Sequence, residues 1–516
     1  MFSTITSGTV CGISSYLVQV EVDMSKGLPC FQMVGLLSSE VREARERVRV
    51  ALKNSGINLP PMCINVNLSP ADLRKEGTMF DLPVAVGILT CLAYVSEEST
   101  RETVLLGELG LNGEIKPVRG VLPIVARAKE CGMRRCILPR DNAMEGAVVE
   151  DIEIIGVSNV AEMVEYLTGV ENGRKSLIEP ARIDVRALWE DKGGDRILDF
   201  ADISGQEAVK RAAEVAAAGF HNLLMIGPPG SGKTMLAKRI PSILPPLSLA
   251  ESLEVSTVYS VAGLLRSSEE ILITKRPFLN PHHTITGQAL AGGGRVPVPG
   301  IISLAHRGIL FLDELPEFKR ETLDILRQPL EDKVVQIARN SGVYTFPADF
   351  MLVGAMNPCP CGYYPDMARC RCAPCEVKRY LGRISGPILD RIDICVEAAP
   401  LKFQDIAQKS AGESSTRIRE RVLQARQIQA ERFAGTNLQF NADMGAAEVE
   451  KYCVLGWKER EYMERMFAVM HLSVRGYHRI LKVARTISDL DGCDRIREEY
   501  LSEAICYRQT DIKYEL

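Results

Sequence analysis

Asn222-Leu223-Leu224-Met225-Ile226-Gly227-Pro228-Pro229-Gly230-Ser231-Gly232-Lys233-Thr234-Met235-Leu236-Ala237-Lys238 decides how this chain is read. The run up to Ile226 has the length and apolarity of a buried strand, and Met235 onward continues as a helical pattern. Between them Gly227, Pro228, Pro229, Gly230, Ser231, Gly232, Lys233 and Thr234 fit G-x-x-x-x-G-K-[ST] at every fixed position. Glycines let backbone N–H groups turn inward onto phosphate oxygens, and a helix starting near Lys233 adds a partial positive charge. Lys233 reaches the β- and γ-phosphates, and Thr234 places its hydroxyl on magnesium. The pattern predicts an ATP site with Mg2+. A chance glycine-rich turn is the alternative, and the strand–loop–helix context argues against it.

Downstream residues supply the rest of such a site. Gly308-Ile309-Leu310-Phe311-Leu312-Asp313-Glu314 is a buried strand with two carboxylates at its tip. Asp313 is suited to hold magnesium, and Glu314 to polarise the attacking water as general base. A third strand, Phe350 to Met356, ends at Asn357, whose amide can orient that water or sense the γ-phosphate; asparagine also simply favours turns. In Pro387-Ile388-Leu389-Asp390-Arg391-Ile392-Asp393, Arg391 is placed to act as a finger on a neighbouring subunit's nucleotide; the alternative is an intrachain ion pair with Asp390 or Asp393. Arg475, at the start of a helical pattern, can contact the γ-phosphate from a lid.

Outward from this centre the 516 residues divide into blocks. Residues 1–170 mix alternating segments (Leu17 to Val22, Ile64 to Leu68) with a helix over Val41 to Leu52 that places Val41, Ala44, Val48, Ala51 and Leu52 on one face. This reads as an α+β domain. Residues 171–199 read as a linker, with Glu171-Asn172-Gly173-Arg174-Lys175 and Asp191 to Arg196 polar and glycine-bearing. Residues 200–400 alternate short strands and helices, the signature of an α/β domain with a parallel sheet. Residues 401–516 are helical, with amphipathic patterns over Ser415 to Phe433 and Val474 to Leu490.

With 46% hydrophobic and 25% charged residues the composition is that of a globular protein, which excludes a disordered or collagen-like chain. Lys+Arg is 62 and Asp+Glu is 66, a net charge of −4, so contact with nucleic acid must come from a local patch or a ring interior. No apolar run is long enough for a membrane helix, the longest being Leu82 to Val95, and Met1 to Ile5 lack the features of a signal peptide, so a cytoplasmic protein with no membrane partner is expected. The 15 cysteines are then expected as reduced thiols. Five crowd between Cys359 and Cys375. Cys359, Cys361, Cys370 and Cys372 offer four sulfurs to a tetrahedral zinc, with Cys375 as a rival ligand through Cys372-Ala373-Pro374-Cys375; unligated thiols are the alternative. A zinc there would pin the loop between Asn357 and Arg391. His282 and His283 are adjacent, which favours packing or phosphate contact over a metal role.

These motifs resemble the AAA+ ATPases, and specifically the magnesium-chelatase-like ComM/YifB family. The likeness extends to Phe31-Gln32-Met33-Val34-Gly35-Leu36, Val66 to Gly77, Phe80-Asp81-Leu82-Pro83, Arg276-Pro277-Phe278, Pro281-His282-His283-Thr284, Asn357-Pro358-Cys359-Pro360-Cys361-Gly362 and Ser473 to Arg479. It implies an N-terminal domain with the fold of the Lon proteolytic domain, an AAA+ P-loop module with a Cys-rich loop over 359–375, and a C-terminal helical domain. Lon chemistry needs a serine activated by a lysine. Gly77 to Pro83 holds no Ser and Pro117 to Leu122 no Lys, so an inactive scaffold or DNA-handling domain is expected, with Ser69 as the nucleophile a shifted register would supply.

The resemblance further implies two inserts facing the pore of a homo-hexameric ring. One lies within Pro281 to Val298, carrying Gly292-Gly293-Gly294 and Arg295. The other is a hairpin over Val334 to Phe346 turning at Arg339-Asn340-Ser341-Gly342. Arg295, Arg339 and Asn340 are thereby candidate DNA contacts. The implied function is an ATP-driven DNA motor promoting branch migration in homologous recombination and natural transformation. A tetrapyrrole metal chelatase subunit and a protein-remodelling AAA+ ring share the same ATP motifs; Tyr344 and Phe346 sit too far from the hairpin tip to serve as the aromatic pore loop of a remodeller.

Overall fold

The computed structural model describes residues 1–171, 178–190, 198–265, 271–340, 342–400 and 412–513. The first domain is built on a sheet of β1 (Phe2–Cys11), β2 (Ser14–Ser25), β3 (Cys30–Val34), β4 (Cys63–Ser69), β5 (Thr103–Leu105), β6 (Arg135–Pro139) and β7 (Glu153–Val157), ordered β3-β4-β2-β1-β5-β6-β7. The alternation read in Leu17 to Val22 buries Val18, Val20 and Val22. The helix Ser39–Asn54 buries the five apolar side chains its period assigns, starts at a Ser38 hydroxyl that accepts from the Val41 N–H, and puts its charges outward except for Arg47, which pairs with the buried Asp81 at 2.6 Å. The larger of the five, Val41, Val48 and Leu52, each stabilise by roughly 1.5–3 kcal/mol. Leu82 to Val95 is mostly the buried helix Asp81–Cys91, and no described helix is long and apolar enough to cross a membrane.

One pair corrects the expectation of reduced thiols. Cys30 and Cys63 face each other on the parallel neighbours β3 and β4, with Cα atoms 4.5 Å apart, and are joined as a disulfide. That juxtaposition comes from strand pairing across 33 residues and leaves no local trace in sequence.

The second domain carries β8 (Leu223–Ile226), β9 (Phe278–Leu279), β10 (Ile309–Leu312), the hairpin β11 (Val334–Arg339) with β12 (Gly342–Pro347), β13 (Met351–Met356) and β14 (Ile394–Glu397). Five of these form a parallel sheet ordered β9-β10-β13-β8-β14. β13 thus stands between the phosphate-loop strand and the acidic strand, and the tips of all three converge. The C-terminal helices Ser415–Arg432, Val474–Leu490 and Glu498–Lys513 pack against the helix Glu207–Gly219 in one core with the inner face of this sheet.

The first domain is seated on the second. The Ser260 hydroxyl donates to Glu145 at 2.5 Å and the Gly120 N–H to the Ser260 carbonyl at 3.1 Å. Leu122 and Val148 share a small core with Val185 and Leu272. Segment 178–190, inside the stretch read as a linker, is packed: Val185–Glu190 is helical, and Trp189 donates its indole N–H to the Leu247 carbonyl at 2.9 Å. The two polar runs that motivated the linker reading, Asn172 to Lys175 and Asp191 to Arg196, lie outside the described residues.

Candidate nucleotide site

The loop Gly227–Gly232 leaves β8 and turns through Gly230 and Gly232, whose φ values of 76° and 87° suit glycine. A Cβ at either would meet no atom within 4 Å, so it is the backbone conformation and not packing that calls for glycine there. Lys233 begins the short helix Lys233–Ala237. Its ammonium donates to the carbonyls of Gly227 and Pro228 at 2.8 and 2.9 Å, to the Ser231 hydroxyl at 3.4 Å and to Asn357 Oδ1 at 3.3 Å. Burial holds it below the ordinary lysine value, with the nearby Asp313 opposing that shift. The Thr234 hydroxyl donates to Asp313 Oδ2 at 2.7 Å. A hydroxyl and a carboxylate so close on the phosphate loop and the acidic strand are the donor pair a nucleotide-bound Mg2+ takes in this loop class. The residues present therefore fit ATP and magnesium.

Glu314 follows Asp313 with φ 53°, which swings it away from the strand direction, and its N–H donates to Asp313 Oδ1 at 3.0 Å. Its carboxylate lies 3.6 Å from His283 Nδ1. His283 is held by a tilted ring contact with His282, centroids 4.0 Å apart, and an edge contact to Phe318. Sequence reasoning offered packing or phosphate contact for His283; the partner is the candidate general base. Only β9 lying beside β10 in the sheet signals this, and that order is not local information.

Arg391 has neither intrachain partner anticipated for it. Asp390 pairs with Arg479 at 3.2 Å and Asp393 with His221 at 3.4 Å. Arg391 instead donates to the Pro387 carbonyl at 2.6 Å and pairs with Glu331, leaving its Nε without a partner among the described residues. It lines a cavity of about 540 Å³ together with Arg475, Arg479 and Lys482, and the lining includes none of residues 227–234. Arg475 is exposed there. The helix Val474–Leu490 packs behind the sheet, which carries its start to the Arg391 side.

Of the candidate DNA contacts, Arg339 and Asn340 are exposed at the hairpin tip, with Ser341 outside the described residues. The Arg339 guanidinium lies beside Gly293, so the tip and the glycine-rich insert adjoin. Arg295 is turned to the first domain, donating to the Ser39 hydroxyl at 2.7 Å. Tyr344 and Phe346 are buried, and the Tyr344 hydroxyl donates to Glu76. Burial raises Glu76 above the usual carboxylate range, against the pull of Arg74. In the first domain Lys75 is buried with its ammonium on the Pro70 carbonyl, and Ser69 ends β4 opposite Gln19. The sulfurs of Cys359, Cys361, Cys370 and Cys372 lie within 4.8 Å of one another; the exposed Cys375 is outside that group.

Comparison with known proteins adds an independent line. Family models described as magnesium chelatase, subunit ChlI, as subunit ChlI of Mg-chelatase, and as its C-terminal part match residues 199–406, 20–142 and 412–508. Competence protein ComM of Haemophilus influenzae is 43% identical over 500 residues, covering 96% of this chain and 95% of that protein. YifB of Escherichia coli is 40% identical over 513 residues, covering 99% and 97%. Lon protease 2 of Bacillus subtilis is 25% identical over 185 residues, covering 31% of this chain and 33% of that protein.

Proposed function

Because this chain belongs to the ComM/YifB family of magnesium-chelatase-like AAA+ proteins, we propose that it is an ATP-hydrolysing ring motor that moves DNA, its task being branch migration during recombination of incoming DNA. The observation that carries the reading is the separation of Arg391 and Arg475 from their own phosphate loop. A site whose cations stand on another face of the module is complete only where two copies meet, which calls for a closed ring, a hexamer by family resemblance. The Haemophilus relative is a competence protein, which supports DNA as the substrate.

In this reading Lys233 releases its loop carbonyls for the β- and γ-phosphate oxygens. Thr234 and Asp313 would hold magnesium, which when bound would supply charge compensation for the phosphates. Glu314, oriented by His283, takes the proton of the attacking water. Asn357 bridges Lys233 to the end of β13 and reports the state of the γ-phosphate to the loop beyond. Arg391 and Arg475 of the adjoining copy meet the charge developing on the γ-phosphate. Arg339 and Asn340 at the hairpin tip grip the DNA backbone electrostatically, so binding weakens with salt. Within the first domain, the bonding of Lys75 to a backbone carbonyl supports a scaffold role over proteolysis.

The test is the ATP turnover of the full chain with and without single-stranded and branched DNA, followed by strand release from a synthetic four-way junction. Stimulation and junction unwinding are expected. Turnover indifferent to both DNAs would reject the motor and return weight to a chelatase or protein-remodelling role.

A further inference from the structure

The cysteine cluster is packed on the phosphate loop, and the proposed ATPase cycle does not use it. Sulfur–sulfur distances are 3.3 Å for Cys359–Cys361, 3.8 Å for Cys359–Cys370 and 3.6 Å for Cys361–Cys370, with Cys372 completing the group. Four thiolates about 2.3 Å from a tetrahedral centre stand roughly 3.8 Å apart, so the spacing is close to that of a bound ion. The Cys359 sulfur accepts backbone N–H groups from Gly362 at 3.2 Å and Tyr364 at 3.4 Å, the outer-shell donors that orient and stabilise a ligating thiolate. Cys359 is buried and packs with Cys361, Cys370 and Cys372 against the core beneath β10 and β13. All-sulfur tetrahedral sites select zinc or iron; a closed, partly buried site with backbone donors fits structural zinc.

Two contacts join this cluster to the nucleotide site. Gly362, between the first and second pair of cysteines, has φ 84°, and a Cβ there would fall 2.4 Å from Pro229 Cδ in the phosphate loop. Asn357, two residues before Cys359, accepts from Lys233. We propose that Cys359, Cys361, Cys370 and Cys372 bind one Zn2+ and that this ion braces the phosphate loop, so that ATP affinity depends on its occupancy. The proposal rests on residues 227–234 being an ATP site, as read above. Without the ion the loop carrying Gly362 loses its fixed shape, Pro229 loses its backing, and Asn357 no longer holds Lys233 in place.

The experiment uses the full chain. Element analysis is expected to find about one zinc per chain, and Co2+ exchanged into the site should give a thiolate-to-cobalt charge-transfer band in the near ultraviolet. Cys361→Ser and Cys372→Ser should lose metal, whereas Cys375→Ser retains it. Removing the ion with a chelator should weaken binding of a fluorescent ATP analogue by about 10- to 100-fold, the loss of a charge-assisted hydrogen bond to phosphate, with recovery on adding Zn2+. Gly362→Ala keeps all four sulfurs, so it should hold zinc yet bind nucleotide weakly; it tests the coupling even if the cysteine variants fold poorly. Absence of metal, stoichiometric iron in place of zinc, metal lost from Cys375→Ser, or unchanged ATP affinity in metal-free protein would overturn the proposal. Nucleotide binding that persists without zinc would leave the ATPase reading standing.

Discussion

Replacing Arg391 with alanine separates the two roles its surroundings allow. Within the chain it pairs with Glu331, whose carboxylate is 60% exposed. A pair with one partner this open to water contributes about 0.5 kcal/mol. For a protein of this size that shifts the first melting transition by about 1–2 °C. Across a subunit seam, loss of an arginine that meets the γ-phosphate costs about 10³- to 10⁵-fold in turnover, roughly 4–7 kcal/mol of barrier. The two energies differ by an order of magnitude, so one variant discriminates between them. Arg391→Ala should bind a fluorescent ATP analogue as the parent does, melt within a few degrees of it, and hydrolyse ATP at a background rate. Arg475→Ala, on the same cavity, should behave alike. Mixing Arg391→Ala with Lys233→Ala supplies the decisive arm. Neither subunit works alone, yet in an equal random mixture roughly a quarter of seams pair an intact phosphate loop with an intact arginine. Activity should therefore return on mixing. Turnover retained by Arg391→Ala, or a mixture as inactive as its components, would refute the trans assignment.

Two further perturbations probe other contacts. His283→Ala should lower kcat about tenfold with KM little changed, because an unanchored Glu314 samples unproductive positions; His283→Asn should recover part of the loss, and steady-state kinetics with unchanged kcat would remove His283 from the site. Glu254 is held down to about 2, first by the hydrogen bond from His306 and then, against burial, by Arg307. Its folded value lies below its unfolded one, so its stabilisation is complete above about pH 4.5 and fades as pH falls toward 2. Discounted for a side chain 48% exposed, Glu254→Gln should cost about 1 kcal/mol at neutral pH. Urea midpoints should differ between parent and variant at pH 6 and converge in that acid window; a gap that stays constant would show that the pair does not titrate as described.

What the sequence disclosed is what short-range periodicity and spacing encode. The helix Ser39–Asn54 buries the residues its 3.6-residue period assigns, because one face alone is apolar. The phosphate loop was legible because strand, glycines, lysine and threonine fall within a dozen or so residues. Contacts made by topology were not. His283 meets Glu314 because β9 pairs with β10; Cys30 meets Cys63 because β3 pairs with β4. The neighbourhood of Arg475 and Arg391 was not legible either, because the direction in which a C-terminal helix packs on a sheet has no signature in the helix itself. Trp189 read as part of a linker because its anchor, the Leu247 carbonyl, is 58 residues away.

The seating of the first domain has a practical consequence for dissecting the molecule. A fragment beginning at Leu198 would bare Val261, Leu272 and Tyr344, now covered, and would strip Ser260 of its carboxylate partner. Such a truncation would clump through a greasy scar, and any oligomer it formed would report adhesion instead of nucleotide-driven order. The N-terminal third thus covers apolar surface of the second domain, and assembly assays call for the full chain.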